Sequence, residues 1–377
     1  MGDKTKRQAA RVLCLFPKNR IGDTIFALPV IRAVRRHFGP HAELWLMYMY
    51  GPSAPAAPAE SLLERESVHG IIPFPAGSRI LAVLTLIPRL RRLGFDCAVN
   101  AGDADPSRRA FIRNKFVLKA GGISKFIGFH KSTSEKSRDG SFALKPKALS
   151  WLERLAKDGV DISLESDFSI PLFPLSEPAR KPAREWLKAR RSYPDRPLIA
   201  ICPGTREPAN AWPIERFTEI GRRLLGLGLY EIVVCGGPAE RGLGDRLIKD
   251  WGQGINAAGE FSILGSSAIL RECKFMVGLD TGTTHLAAAV GVPCLTLQGG
   301  RVPPGAWDPL GPGHIIVRYP VACGGCGLGT CCLSRHPCMR GITVDRVWKA
   351  VEEMRTQLSR IYVPNAAEIR GRDSLKT

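Results

Sequence analysis

Residues 275–300, FMVGLDTGTTHLAAAVGVPCLTLQGG, restrict the fold more than any other stretch of this 377-residue chain. FMVGL is a short apolar run that stops on a carboxylate, Asp280. TGTT follows, rich in hydroxyls and glycine. HLAAAV reads as a helix, Gly291 as its stop and PCLTLQG as a second buried run. Strand, tight turn, helix and strand make a βαβ unit, and in such units ligands sit at the carboxyl ends of the strands. Asp280 stands at one of those ends, and His285 lies in the first turn of the helix that leaves it. A helix N-terminus offers free N–H groups and the positive end of a dipole, so it favours phosphate. Thr281, Thr283 and Thr284 add hydroxyls, and Gly282 allows close backbone approach. Two readings fit: an anion site of diphosphate size, or a capped turn with nothing bound.

The same rhythm runs through the rest of the chain. In the first half, strands are expected at residues 12–16, 43–49, 70–74, 95–100 and 125–129. Helices are expected at 22–39, 80–93 and 108–120. Pro29 should distort the first helix. Residues 51–59, GPSAPAAPA, and the polar stretch 130–147 read as mobile loops. Six prolines between residues 171 and 197 surround one short helix and mark a boundary. Beyond it, strands at 198–202 and 231–235 alternate with helices at 213–227, 240–250 and 262–273, and a last helix covers 344–355. The expected architecture is α/β: two doubly wound Rossmann-like domains facing a cleft. Residues 1–175 form the first, 176–197 the hinge, 198–363 the second and 364–377 a flexible tail.

The formal charge is +19, from 54 Lys plus Arg against 35 Asp plus Glu. Such an excess favours an anionic partner. The basic residues are scattered over both halves, which argues against nucleic acid. No apolar run approaches the ~20 residues that span a bilayer, and residues 12–16 are too short for a signal-peptide core. A cytoplasmic protein is expected. No G-x-G-x-x-G follows the first strand, which argues against an NAD enzyme. The segment 80–93 is amphipathic, follows Arg79 and carries Arg89, Arg91 and Arg92. It reads as a crossover helix with a solvated face or as a contact for an anionic bilayer.

Of 11 cysteines, Cys14, Cys97, Cys202, Cys235, Cys273 and Cys294 are single and mostly in apolar segments. They read as reduced core residues. The other five crowd into residues 323–338. Cys323, Cys326, Cys331 and Cys338 have spacing suited to a structural zinc or iron, with His336 a spare ligand. Redox-labile thiols and packing without metal are the alternatives.

Four motifs together resemble the heptosyltransferases of lipopolysaccharide core synthesis, glycosyltransferase family 9. They are Ile21-Gly22-Asp23 with Leu28-Pro29; Pro203-Gly204-Thr205 with Trp212-Pro213 and Glu215-Arg216-Phe217; GGPAE at 236–240; and the run from Asp280 through Pro293. The resemblance spans about 12–351 and implies the two-domain GT-B fold. It implies Asp23 as catalytic base, taking the proton of an acceptor hydroxyl as that oxygen attacks the sugar C1; an N-cap role is compatible with this. Thr205, Asp280, Thr281, Gly282 and His285 would meet the donor diphosphate, and Glu240 the ribose. The implied transfer inverts the anomeric centre and needs no cofactor or metal. The donor would be ADP-heptose and the acceptor a lipopolysaccharide core; another acceptor, or a nucleotide-sugar binder without catalysis, are the alternatives. A lipid-anchored acceptor implies reversible contact with an anionic membrane face, for which Arg89, Arg91, Arg92, Arg108, Arg109 and Arg113 are candidates. Parts of the family share a similar cysteine run. The chain departs from the family at Asn210, where close relatives carry a Lys that reaches the diphosphate. Arg206 or Arg301 would have to replace that cation.

Overall fold

A computed structural model describes residues 9–16, 20–49, 62, 68–74, 79–102, 108–130 and 145–361. The proposed loop at 51–59, most of the loop at 130–147 and the tail at 364–377 lie outside the described residues. In chain order the first half contains β1 (Arg11–Phe16), α1 (Ile21–Phe38), β2 (Glu43–Met49), β3 (Gly70–Phe74), α2 (Arg79–Leu93), β4 (Cys97–Asn100), α3 (Arg108–Ala120), β5 (Lys125–Ile127), α4 (Lys147–Ala156) and α5 (Leu164–Asp167). Helix α6 (Glu177–Lys188) follows. The second half contains β6 (Leu198–Cys202), α7 (Ile214–Gly226), β7 (Glu231–Val234), α8 (Arg241–Trp251), β8 (Ile255–Asn256), α9 (Ile263–Arg271), β9 (Cys273–Leu279), α10 (Gly282–Ala289), β10 (Cys294–Leu297), β11 (Ile315–Val317), α11 (Pro337–Arg340) and α12 (Val344–Ile361).

The strand orders are β3-β2-β1-β4-β5 and β11-β10-β9-β6-β7-β8, and every pair is parallel. Each sheet therefore reverses direction of winding once, between β1 and β4 and between β6 and β9. Those switch points are where a doubly wound sheet opens a crevice at its carboxyl edge. Strand β1 shows how the layers form. Val12 and Cys14 face the helix α1 side, and Leu13 faces the side covered by α2 and α3. Period-two alternation of apolar residues on both faces is what a sheet buried on both sides requires.

Helix α1 continues from Ile21 to Phe38 with Pro29 inside it. All residues from Thr24 to Ile31 are buried, so packing on both sides outweighs the missing hydrogen bond. Helix α4 begins where the expected loop ends, and it was not anticipated. Its Ala148, Trp151, Leu152 and Leu155 are buried at helical spacing.

The two halves meet directly. Helix α1 packs on α10, and one apolar cluster runs from Val12, Ile25 and Phe26 into Leu286, Ala287 and Cys294. Trp307 of the second half lies between Phe26 (ring centroids 4.9 Å) and Trp151 (6.4 Å). The chain between the halves is tied down on the way. The buried Asp167 carboxylate accepts from Arg36 at 2.6 Å and from the Ser163 N–H at 2.9 Å. Arg32 donates to the carbonyls of Ser169 (3.0 Å) and Leu172 (2.6 Å). Leu172 N–H then crosses to Ala289 O at 2.7 Å.

Candidate active site

The site forms where the N-termini of α1 and α10 face each other. Both helices leave strands next to a switch point, α1 after β1 and α10 after β9. Glycines at their starts permit the approach. A Cβ on Gly22 would stand 2.8 Å from His285 Cδ2, and one on Gly282 would stand 3.0 Å from Ile21 Cβ. Asp23 follows Gly22 in the first turn of α1 and is half-buried. The structure thus places Asp23 on the rim of the seam, opposite the Asp280–His285 turn, although the two segments are more than 250 residues apart.

His285 is gripped from three sides. Gly22 lies under its ring, the Phe26 ring meets it edge-on at 5.1 Å, and Asp280 Oδ1 is 3.5 Å from its Nε2. Its side chain is only 5% exposed, and Nδ1 has no partner among the described residues. Thr281 occupies the N-cap of α10, yet its side chain makes no capping bond. That leaves the hydroxyl and the first N–H groups of the helix facing the crevice. Thr284 differs from the sequence expectation. Its hydroxyl is buried and donates to Leu279 O, because its helical position points it back at the strand.

The other wall of the crevice is the loop after β6. Thr205 Oγ1 accepts from the Glu207 N–H at 3.2 Å, closing a tight turn. Glu240 Oε2 accepts from the Gly237 N–H at 2.7 Å, and its stem lies over Gly204. A Cβ on Gly204 would fall 2.0 Å from Glu240 Cγ. Glycine is required there because the carboxylate of one loop rests on the backbone of the next. Asn210, expected among the donor contacts, is 3% exposed and braces the turn from behind: its Nδ2 donates to Asp280 O at 3.3 Å. Arg206 is exposed. Arg301 is anchored, donating from Nε to Leu328 O at 2.9 Å with its guanidinium 3.9 Å from Glu207.

Sequence reasoning missed Arg20 and Glu207. Arg20 reaches across the seam to Glu207 at 3.2 Å, so Glu207 stands between two arginines, one from each half. Their positions immediately before Ile21-Gly22-Asp23 and just after Pro203-Gly204-Thr205 were the available signal. Phe26 and Trp307, which hold His285 and α1, carried none beyond being aromatic.

The cysteine cluster departs from expectation. Cys323, Cys326 and Cys332 are exposed, Cys331 is half-buried and Cys338 is buried in the second core. All are free, and no three His, Cys, Asp or Glu side chains gather to hold a metal among the described residues. Backbone bonds order the segment instead. Gly325 N–H donates to Gly300 O at 2.6 Å, Gly327 N–H to Arg301 O at 2.9 Å, and Gly329 O accepts from the Ala209 N–H at 2.9 Å. His336, the spare ligand of the sequence reading, is engaged with Ala209 O at 2.9 Å. The segment therefore buttresses the two loops that line the crevice. The core thiols follow expectation: Cys14 and Cys294 are buried, and desolvation pushes both well above the usual thiol range.

His314 fixes the floor under α10. Burial, with a contribution from nearby His285, pulls its imidazole below the ordinary range. The neutral ring accepts from the Cys294 N–H through Nδ1 at 3.1 Å and meets Leu310 O through Nε2 at 3.1 Å. The unfolded chain takes up a proton near pH ~6.5 where the folded chain does not. Stability from this group is complete above that pH and declines as pH falls below it. A melting series from pH 7 to pH 5 is expected to fall less steeply for His314→Asn than for the unaltered chain; equal slopes would contradict this.

The sequence profile of glycosyltransferase family 9 (heptosyltransferase) matches residues 85–334. Lipopolysaccharide heptosyltransferase 2 of Salmonella typhimurium is 28% identical over 173 residues, which is 44% of this chain and 48% of that protein. The chain thus spans about half the length of that curated relative. Among solved structures, a family 9 glycosyl transferase from Veillonella parvula superposes with a TM-score of 0.68 at 18% identity, over 92% of this chain and 97% of that one. The E. coli ADP-heptose lps heptosyltransferase II superposes with a TM-score of 0.63 at 21% identity, over 92% and 99%. These likenesses support the fold.

Proposed function

The chain belongs to glycosyltransferase family 9, the heptosyltransferase family, and from that premise we propose that it transfers a heptose from ADP-heptose to a lipopolysaccharide core acceptor, with inversion and without a metal. The observation that carries this reading is the pair of opposed helix N-termini, with Asp23 on one and the Asp280–His285 turn on the other. The half at 198–363 holds the donor, and the half at 1–175 holds the acceptor.

The Asp23 carboxylate accepts the proton of an acceptor hydroxyl, that oxygen bonds to the sugar C1, and the bond from C1 to the diphosphate oxygen breaks. ADP leaves with the bonding pair. Its developing charge meets the N–H groups of α10, the Thr281 and Thr205 hydroxyls, Gly282 and His285. Glu240 offers the carboxylate oxygen not engaged by Gly237 to the ribose hydroxyls. With Asn210 turned inward, Arg301, Arg206 and Arg20 supply the cationic field where close relatives use Lys. The alternative of a nucleotide-sugar binder without catalysis is favoured by that same Asn210.

Donor choice is testable by thermal stabilisation. ADP at one hundred times its Kd is expected to add about 2.7 kcal/mol, and UDP or GDP less. Gly204→Ala is expected to displace Glu240, to weaken ADP binding by roughly tenfold and to lower the apo stability by about 1–3 kcal/mol. An ADP affinity equal to that of the unaltered chain would remove Glu240 from the site. The acceptor reading also places the protein at the inner face of the cytoplasmic membrane. No helix among the described residues is long and apolar enough to cross a bilayer, so the contact would be peripheral.

A further inference from the structure

The outer face of the first half is built from α2 and α3, side by side. Arg91 Nε donates to Ala120 O at 2.8 Å, and a Cβ on Gly121 would meet Leu90 at 2.8 Å. Their inner stripes, Leu86, Leu90, Val117 and Leu118, fill the core under the sheet. The outer stripes are the reverse of what water alone would select. Phe116 is 69% exposed, Leu84 62% and Ile112 57%. Phe116 and Leu84 are the two most exposed large apolar side chains among the described residues. Ile112 and Phe116 are one turn apart, so they share a face of α3.

The charge on the same two helices has one sign. RILAVLTLIPRLRRL and RRAFIRNKFVLKA contain nine Lys and Arg and no Asp or Glu. Arg89, Arg91, Arg92 and Lys119 are exposed. Apolar side chains standing out of a cationic surface suit one environment best: an anionic lipid surface, which takes the apolar groups below its headgroups and the cations at them. A second copy of this chain suits it poorly, because a two-fold pairing would set like charges against like.

We propose that the α2–α3 face is the protein's membrane-docking surface, with Leu84, Ile112 and Phe116 entering an anionic bilayer and the arginines at its headgroups. Both helices leave the carboxyl edge of the first sheet, as α1 does, so Leu84 and Ile112 lie toward the edge that carries Asp23. That the docked face presents Asp23 to a lipid-anchored acceptor rests on the transfer reading; the docking itself does not.

The test uses the full chain with phosphatidylethanolamine vesicles, with or without phosphatidylglycerol, and neither donor nor acceptor present. Co-sedimentation is expected with phosphatidylglycerol and little without it. Replacing the three apolar side chains together (Leu84→Ser, Ile112→Ser, Phe116→Ser) is expected to weaken vesicle binding at least about tenfold at physiological ionic strength. Replacing Arg89 and Arg92 by Gln is expected to weaken it and flatten its salt dependence. Melting temperature and ADP stabilisation should be unchanged in both variants, since every substituted side chain is exposed. The proposal is overturned if the serine variant binds like the unaltered chain or if vesicles with and without phosphatidylglycerol bind alike. It is also overturned if the unaltered chain sediments as a dimer that the serine variant abolishes, or if RNA displaces it from vesicles. Vesicle binding without sugar transfer would sink the transfer reading alone; transfer to a soluble acceptor without vesicle binding would sink the docking alone.

Discussion

Asp23→Asn is expected to lower turnover by about 10²- to 10⁴-fold, the usual contribution of a positioned general base, while ADP affinity stays within about twofold. The two effects separate because the groups sit on opposite sides of the seam: Asp23 on α1, the proposed donor contacts on α10 and the loops after β6 and β7. The substitution is close to isosteric and lies on a half-buried rim, so packing is retained. Its structural cost is the loss of a negative charge from the first turn of α1, about 0.3–1 kcal/mol. A variant that keeps its fold and its ADP stabilisation but not its turnover has lost a proton acceptor. Activity within about tenfold of the unaltered chain, some 1.4 kcal/mol of barrier, would remove Asp23 from that role.

Gly22→Ala is expected to damage both stability and turnover, through contact with a residue of the other half. The added methyl would stand 2.8 Å from His285 Cδ2. The ring has nowhere to retreat, with Phe26 against its edge and Asp280 at its far nitrogen. Either α1 and α10 move apart or the imidazole leaves its position. Overpacking of this kind costs about 1–3 kcal/mol, and misplacing reacting groups by about an ångström costs up to ~10² in rate. The diagnostic is a double-mutant cycle. His285→Ala makes room for the methyl, so the double variant should be more stable than the sum of the single costs predicts, with a coupling of about 0.5–3 kcal/mol. Additive costs would mean that the two residues do not meet across the seam.

Much of this was legible from local pattern. Strands 43–49, 70–74 and 198–202 have the bounds that their apolar runs suggested; in 198–202 all five residues are buried, which leaves little freedom in where pairing stops. The βαβ unit at 275–300 was legible for the same reason, and it brought Asp280 and His285 to the crevice. Strands β8, of two residues, and β11, of three, were not, being too short for periodicity to register. Helix α4 carried the signal in its apolar spacing but abutted a polar stretch that masked it. Contacts between distant residues were the least legible. The motifs beside Arg20 and Glu207 mark each as near the crevice but not as a pair, and nothing near Asn210 says that its amide turns inward to Asp280 O. The cysteine spacing suggested convergence, whereas backbone bonds to Gly300, Arg301 and Ala209 hold that segment open.

The measurement that bears most directly on the account is the product of a single incubation: the full chain, ADP-heptose and a heptose-deficient lipopolysaccharide core, in the presence of a chelator. Mass spectrometry is expected to find the acceptor one heptose heavier, NMR to find the new linkage inverted relative to the donor, and Asp23→Asn to yield almost none of it. An acceptor left unchanged, with ADP-heptose bound but intact, would contradict transfer and leave a nucleotide-sugar binding protein in its place.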